Sequence, residues 1–174
     1  MKNIEIKISI NNLNEAQSEL KKMGAVFVSE MNQKDTYYHH WNGRLKIREI
    51  DGKKHEIIFY KRPNKKNFKI SNYQKRNISA KKCHEVKKIY KKTYGEKVVV
   101  YKRRQLWLFN NTRIHLDTVK SLGNFLELET AIKGKIKNSI EEFNSVFKTL
   151  KLSDDSIIAN SYSDILLDTN KAVI

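Results

Sequence analysis

In four short stretches of the chain, NIEIKISI, RLKIRE, VVYKRRQ and FLELE, charged residues recur at every second position and apolar residues fill most of the gaps. Residues two apart project from the same side of an extended strand. Glu5 and Lys7 therefore point together, as do Lys46 and Arg48, Lys102 and Arg104, and Glu127 and Glu129. Ile4, Ile6 and Ile8 point the other way, with Leu45 and Ile47, and Leu126 and Leu128. If the charged faces oppose one another, they enclose a pocket with many Lys and Arg and a few Glu. Such a pocket suits a polyphosphate and a divalent metal. The alternative is a solvated sheet face over an apolar one, common in antiparallel sheets, with Glu127 and Glu129 merely neutralising lysines. Two carboxylates one strand step apart repel, so a metal or cations must hold them ionised.

Other reactive types are less committed. His115 shares a face with Arg113 and Asp117, which places it either in the same pocket or in a packed strand. His39, His40 and Trp41 fit a strand edge and turn better than a metal or base site. Cys83 lies in a lysine-rich segment, a setting that lowers a thiol's pKa, but no general base accompanies it. Tyr73, Tyr90, Tyr94 and Trp107 have rings that can stack on a base, though core or rim positions explain most of them. The spacing around Gly43 and Gly52 is not that of a phosphate-binding P-loop.

These side chains need strands to aim them. Alternation predicts a strand over residues 3–10, and Leu13, Ala16, Leu20 and Met23 predict a helix over 12–23 capped by Asn12 or Asn14. AVFVSE and QKDTYYHH read as two strands. Asn42-Gly43 and Asp51-Gly52 are tight-turn signals before RLKIREI and HEIIFYKR, and Pro63 ends the latter. Residues 64–80 read as a loop or ragged strand, and 81–93 as a lysine-rich helix. EKVVVYKRR, QLWLFN, TRIHLDTV and FLELETAI are further strands. Ser139 and Glu142 carry a capping-box signature for a helix with Ile140, Phe143, Val146 and Leu150; a last helix is expected over 154–167. About eight antiparallel strands with three or four helices make an α+β fold. A closed barrel of that size is just wide enough for side chains or one small ligand. The charged faces would point inward and helices would cover the apolar exterior.

Composition bounds the reading. A length of 174 residues suits one domain with a real core, spanning 1–174. The formal net charge of +16 attracts polyanions of any kind. Much of the excess lies in residues 61–92, which keeps RNA binding open only as a weaker idea; a nucleic-acid partner is not expected. One cysteine excludes an internal disulfide framework, and no apolar run is long enough to cross a bilayer. A cytoplasmic protein without membrane association is expected.

Taken in order, IEIK, DTYY, NGRLKIRE, FYKRP, VYKRR, RIHLDTVKSLGNFLELE and SYSDILL resemble the CYTH superfamily, the triphosphate tunnel enzymes, and most closely its class IV adenylate cyclase branch. The likeness runs from residue 3 to 167. It implies an antiparallel barrel that grips a triphosphate with basic residues and holds Mg²⁺ or Mn²⁺ with glutamates. It further implies either cyclisation of ATP to cyclic AMP or hydrolysis of a triphosphate, and a possible homodimer. Lys7, Arg48, Lys61, Lys102 and Arg104 match the phosphate-binding positions, with Lys46 and Arg113 as additions. Glu5 and Glu127 match metal ligands, with Glu129 a third, and Asp117 matches an acidic position near the reacting end. One departure stands out: the family's opening ExExK reads Asn3-Ile4-Glu5-Ile6-Lys7. An amide oxygen still ligates a hard cation, but without charge. Asn3 thus keeps a non-catalytic nucleotide sensor among the readings.

Overall fold

The computed structural model describes residues 2–61 and 69–171. Eight antiparallel strands close into a barrel in the order β1-β5-β4-β3-β2-β6-β7-β8, with β8 pairing back onto β1. The strands are β1 (Lys2–Ile10), β2 (Val26–Tyr38), β3 (Arg44–Ile50), β4 (Lys54–Lys61), β5 (Lys69–Ile78), β6 (Glu96–Phe109), β7 (Thr112–Val119) and β8 (Gly123–Ala131). The described residues also form four α-helices, α1 (Leu13–Lys22), α2 (Ala80–Tyr94), α3 (Ile136–Thr149) and α4 (Tyr162–Lys171). None of the described helices is long and apolar enough to cross a membrane.

The barrel is inverted relative to an ordinary one, as the alternation foretold. Ile4, Ile6 and Ile8 pack outward with Ile114, Leu116, Leu126 and Leu128, and α1 and α3 cover them with Leu20, Phe143 and Val146. On the same outer side Leu45 and Ile47 meet Cys83 and Val86 of α2. Val100, Val119 and Phe125 have the parity of Lys102, Asp117 and Glu127, so they meet Tyr162 and Leu166 of α4 on the bore side instead. Burying the exterior against α1, α2 and α3 releases much of the interior from core duty, so polar side chains can occupy it beside the apolar cluster under α4.

Several boundaries differ from expectation. AVFVSE and QKDTYYHH are one continuous β2, and EKVVVYKRR and QLWLFN one continuous β6, because each gives the other an unbroken ladder apart from register shifts near Phe27 and Tyr38. The ragged segment is in part a regular strand, β5, paired to both β4 and β1. Ladder pairing on two sides overrides its weak local pattern. Residues 62–68, with Pro63, lie outside the described residues. In α1 the cap is Asn12, whose Oδ1 accepts from the amides of Asn14 and Glu15.

The capping box belongs to a different helix. α3 begins at Ile136 after Lys135, which makes no side-chain cap. Ser139 lies a turn inside, where its Oγ donates to the Ala131 carbonyl, and Glu142 instead accepts from the Asn111 amide and the Thr112 hydroxyl. A reciprocal box does form at Ser161 and Asp164, each side chain accepting from the other's amide, and it starts α4 at Tyr162. The expected helix over 154–167 is thus a short turn at Asp154–Ser156 followed by α4.

Candidate active site: two lysine–arginine clamps in the barrel

The bore holds a cavity of about 330 Å³ lined by, among others, Glu5, Lys7, Lys46, Arg48, Lys102 and Arg104. Its cations are set by two similar constructions. On β3, Lys46 and Arg48 face Asp35 of β2, which is in direct register with Arg48. Arg48 donates to both Asp35 oxygens at 2.7 Å, and Lys46 Nζ donates to Oδ2 at 2.7 Å and to the Tyr37 hydroxyl at 3.2 Å. On β6, Lys102 and Arg104 face Asp117 of β7, in direct register with Arg104. Arg104 Nε donates to Asp117 Oδ1 at 2.6 Å while its Nη2 takes Oδ2, and Lys102 Nζ lies 3.4 Å from Oδ2. Tyr162, the first residue of α4, donates its hydroxyl to Asp117 Oδ2 at 2.9 Å.

Each clamp is thus Lys-x-Arg on one strand with an aspartate directly across. The fork of arginine fits a carboxylate in two places at once, which fixes its plane. Asp35 offsets one of the two positive charges above it, so the β3 pair retains a net cation aimed into the cavity, whereas on β6 Arg104 is shared between Asp117 and Glu127.

Burial pushes Asp117 up, but Arg104 and Lys102 outweigh it and hold it at about 2. Asp35 is likewise held well below the carboxylate range by Arg48 and Lys46 against its burial. Both guanidiniums are pushed up by their carboxylate partners, against burial. Lys102 goes the other way. Burial first, then repulsion from Arg104, lowers its ammonium to about 7 in spite of Asp117.

A third group sits where β1, β7 and β8 meet. Glu127 receives Arg104 Nη2, and Lys7 Nζ lies 3.4 Å from its other oxygen and 3.7 Å from the Tyr162 ring centroid. Burial would raise Glu127, yet Arg104 and Lys7 hold it well below its usual range. Arg113 donates to Glu129 at 2.9 Å. With its amide turned so that oxygen meets donor, Asn3 accepts from the same guanidinium at 2.9 Å. Glu5 lies directly across from Glu129 on the paired strand.

Like charges opposed on one face destabilise a sheet unless something lies between them. His115 supplies the remaining donor: Nδ1 is buried without a hydrogen-bond partner, 3.7 Å from Glu129 Oε1 and 3.8 Å from Glu127 Oε2. Ligand atoms of His115, Glu127 and Glu129 all lie within 4.8 Å of one another. An orphan imidazole nitrogen between two carboxylates fits a divalent cation, and the nitrogen suits Mn²⁺ better than Mg²⁺.

Of the residues singled out in the sequence, the cavity gathers Glu5, Lys7, Lys46, Arg48, Lys102, Arg104, Arg113, Glu127 and Glu129. Lys61 does not join them. Glu56, Ile58 and Tyr60 of β4 line the cavity, so Lys61 has the opposite parity and is exposed; Lys75 of β5, paired to Glu56 at 3.0 Å, adds a cation on that wall. Asp117 is corrected too: it is wholly buried beneath Lys102 and Arg104, an anchor for cations with no exposed oxygen to offer a substrate.

His115 and Tyr73 line the cavity, Trp107 is core, and Tyr90 and Tyr94 belong to α2. Cys83 is the reverse of a reactive thiol: burial pushes it up. Asp35 was missed, although Gln33, Asp35 and Tyr37 alternate in QKDTYY as visibly as the other motifs. A lone acid among uncharged residues drew no notice. Tyr162 could not have been found by parity, because it enters from a helix.

The CYTH domain family matches residues 1–162. The chain belongs to this family. A relative in Methanocaldococcus jannaschii, named "Putative adenylate cyclase", is 30% identical, the alignment covering 93% of this chain and 97% of that one. Among solved structures, the CYTH barrel superposes on the PH1012 protein of Pyrococcus horikoshii with a TM-score of 0.81 at 22% identity, over 93% of this chain and 98% of the other. A Vibrio parahaemolyticus protein titled a putative adenylate cyclase gives 0.76 at 17% identity, over 94% and 97%. These two likenesses are of fold.

Proposed function

We propose that this CYTH protein binds a nucleoside triphosphate in the barrel and converts ATP to cyclic AMP and pyrophosphate. The observation that carries the proposal is the pair of Lys-x-Arg clamps, each anchored by a buried aspartate and both opening on one cavity. Phosphoryl and nucleotidyl transfer rest mainly on positioning and on neutralising oxygens that gain charge.

Arg48 and Arg104 arrive with their planes fixed by Asp35 and Asp117, so little ordering remains to be done when phosphate binds. Lys46 and Lys7 add point charges, Lys46 held by Asp35 and Lys7 by Glu127 and the Tyr162 ring. Lys102, near 7 in the free protein, takes up a proton on Nζ as phosphate charge arrives. In the reaction the ribose 3′-oxygen bonds to the α-phosphorus, the bond from that phosphorus to the α,β-bridging oxygen breaks, and the hydroxyl proton is released to solvent. His115, Glu127 and Glu129, with Glu5 across from Glu129, would hold a Mg²⁺ or Mn²⁺ ion. When bound, the ion supplies Lewis-acid charge to the reacting phosphate.

Incubation with ATP, GTP, thiamine triphosphate or tripolyphosphate plus Mn²⁺, with products identified by mass spectrometry, tests the proposal. Cyclic AMP and pyrophosphate support it. Nucleotide plus orthophosphate replaces it with a triphosphate hydrolase. Binding without turnover replaces it with a nucleotide sensor, a reading motivated by Asn3, which meets Arg113 with a neutral amide where the family motif has a carboxylate.

A further inference from the structure

Outside the barrel, a second group of metal-ligating side chains meets on the wall opposite the cavity. Glu49 and His55 are a directly opposed pair on the β3–β4 hairpin. Their parity is that of Leu45, Ile47 and Ile57, so they face α2 rather than the bore. From α2, Cys83 comes down between them, 2% exposed. One ligand atom from each of the three, a carboxylate oxygen, an imidazole nitrogen and the thiol sulfur, lies within 4.8 Å of the others. These residues line a separate cavity of about 310 Å³, with Tyr38 and His84 on its wall. Tyr38 is 2% exposed and its hydroxyl has no hydrogen-bond partner. An orphan phenol buried beside a thiol, an imidazole and a carboxylate calls for an explanation.

We propose that Cys83, His55 and Glu49 form a zinc site that fastens α2 to the β3–β4 hairpin. Sulfur, nitrogen and oxygen donors together select Zn²⁺ over the hard cations that suit the bore, whose ligands lack sulfur. Tetrahedral zinc with bonds of about 2.0–2.3 Å places its ligand atoms roughly 3.5 Å apart. The three ligand atoms already lie within 4.8 Å of one another, at most a little over 1 Å wider than that value. The fourth position falls to water, and the Tyr38 hydroxyl then has an acceptor in that water or in the thiolate.

Glu49 already receives Lys87 at 2.7 Å and lies 3.8 Å from Lys34, both through Oε1. A carboxylate has about four acceptor positions on its two oxygens, so the lysines leave room for the metal. The thiol of Cys83, pushed up by burial, must lose its proton on binding. The helix so fastened joins β5 to β6, and its apolar contact with the barrel is confined to a few residues such as Cys83, Val86 and Tyr90.

The probe is Co²⁺ added to the full chain, followed by Zn²⁺. A thiolate-to-cobalt charge-transfer absorption should appear and saturate at one cobalt per thiolate site, whatever cobalt the bore takes up, and zinc should abolish it. Zinc binding at pH 7 should release about one proton. Cys83→Ser and His55→Ala should lose the absorption while Glu129→Gln in the bore should keep it, all three checked for folding by circular dichroism. Hydrogen exchange in α2 should slow with zinc in wild type and not in Cys83→Ser. A wild-type chain that gives no charge-transfer absorption overturns the proposal, whatever the variants do. So does an absorption that survives His55→Ala, or one lost in Glu129→Gln.

Discussion

Lys102 makes the cavity's affinity depend on pH in a direction the structure fixes. Its ammonium is lowered from 10.5 to about 7 by burial and by Arg104. A phosphate oxygen about 4 Å away contributes roughly 4 kcal/mol at an effective dielectric of about 20, or roughly three pKa units. The bound state is therefore fully protonated across the neutral range while the free state is not. Apparent Kd then scales as one plus ten to the power of pH minus the free pKa, a factor of roughly 1.1 at pH 6 and roughly 11 at pH 8. Titration calorimetry with a non-hydrolysable ATP analogue at these pH values should show about tenfold weakening. It should also show uptake of roughly 0.9 proton at pH 8 against roughly 0.1 at pH 6, read from buffers of different ionisation enthalpy. Lys102→Arg keeps the charge but does not titrate, so its profile should show only the ligand's own ionisation. Equal pH slopes in wild type and Lys102→Arg would refute the reasoning.

The same group bears on stability. Because the folded pKa lies below the unfolded one, the unfolded chain binds more protons between pH about 7 and 10.5, and stability rises with pH across that window. Retaining Lys102 costs the free protein about 4 kcal/mol at pH 7 as an upper bound. Lys102→Met should therefore raise the urea midpoint while weakening triphosphate binding, and a lowered midpoint would count against it.

Asp35→Ala leaves Lys46 and Arg48 buried without their anion and should cost about 3–5 kcal/mol in urea unfolding, with added tripolyphosphate recovering part of the loss. Lys61→Ala should change tripolyphosphate affinity less than about twofold, since the side chain is exposed and faces away from the cavity. Lys46→Ala, by contrast, should lose about 2–5 kcal/mol. Finally, Ser161→Ala removes the box that starts α4 and should lower stability by about 1 kcal/mol in the same unfolding assay.

Alternation with period two made the barrel and most of its lining legible from the sequence. In β1, β3, β6 and β8 it separated charged from apolar residues, and strand geometry obliges such residues to part to opposite faces. Glu5, Lys7, Lys46, Arg48, Lys102, Arg104, Glu127 and Glu129 followed directly. Two things lay beyond reach. The parity of Lys61 depends on the register in which β4 meets β3, and one step of register reverses every face. The partners Asp35 for Arg48, Asp117 for Arg104 and Tyr162 for Asp117 are separated by 13 or more residues. The chain itself thus determined which side chains share a face. Only the pairing of strands decided which carboxylate sits beneath which cation, because hydrogen-bond register is a property of two strands together and not of either alone.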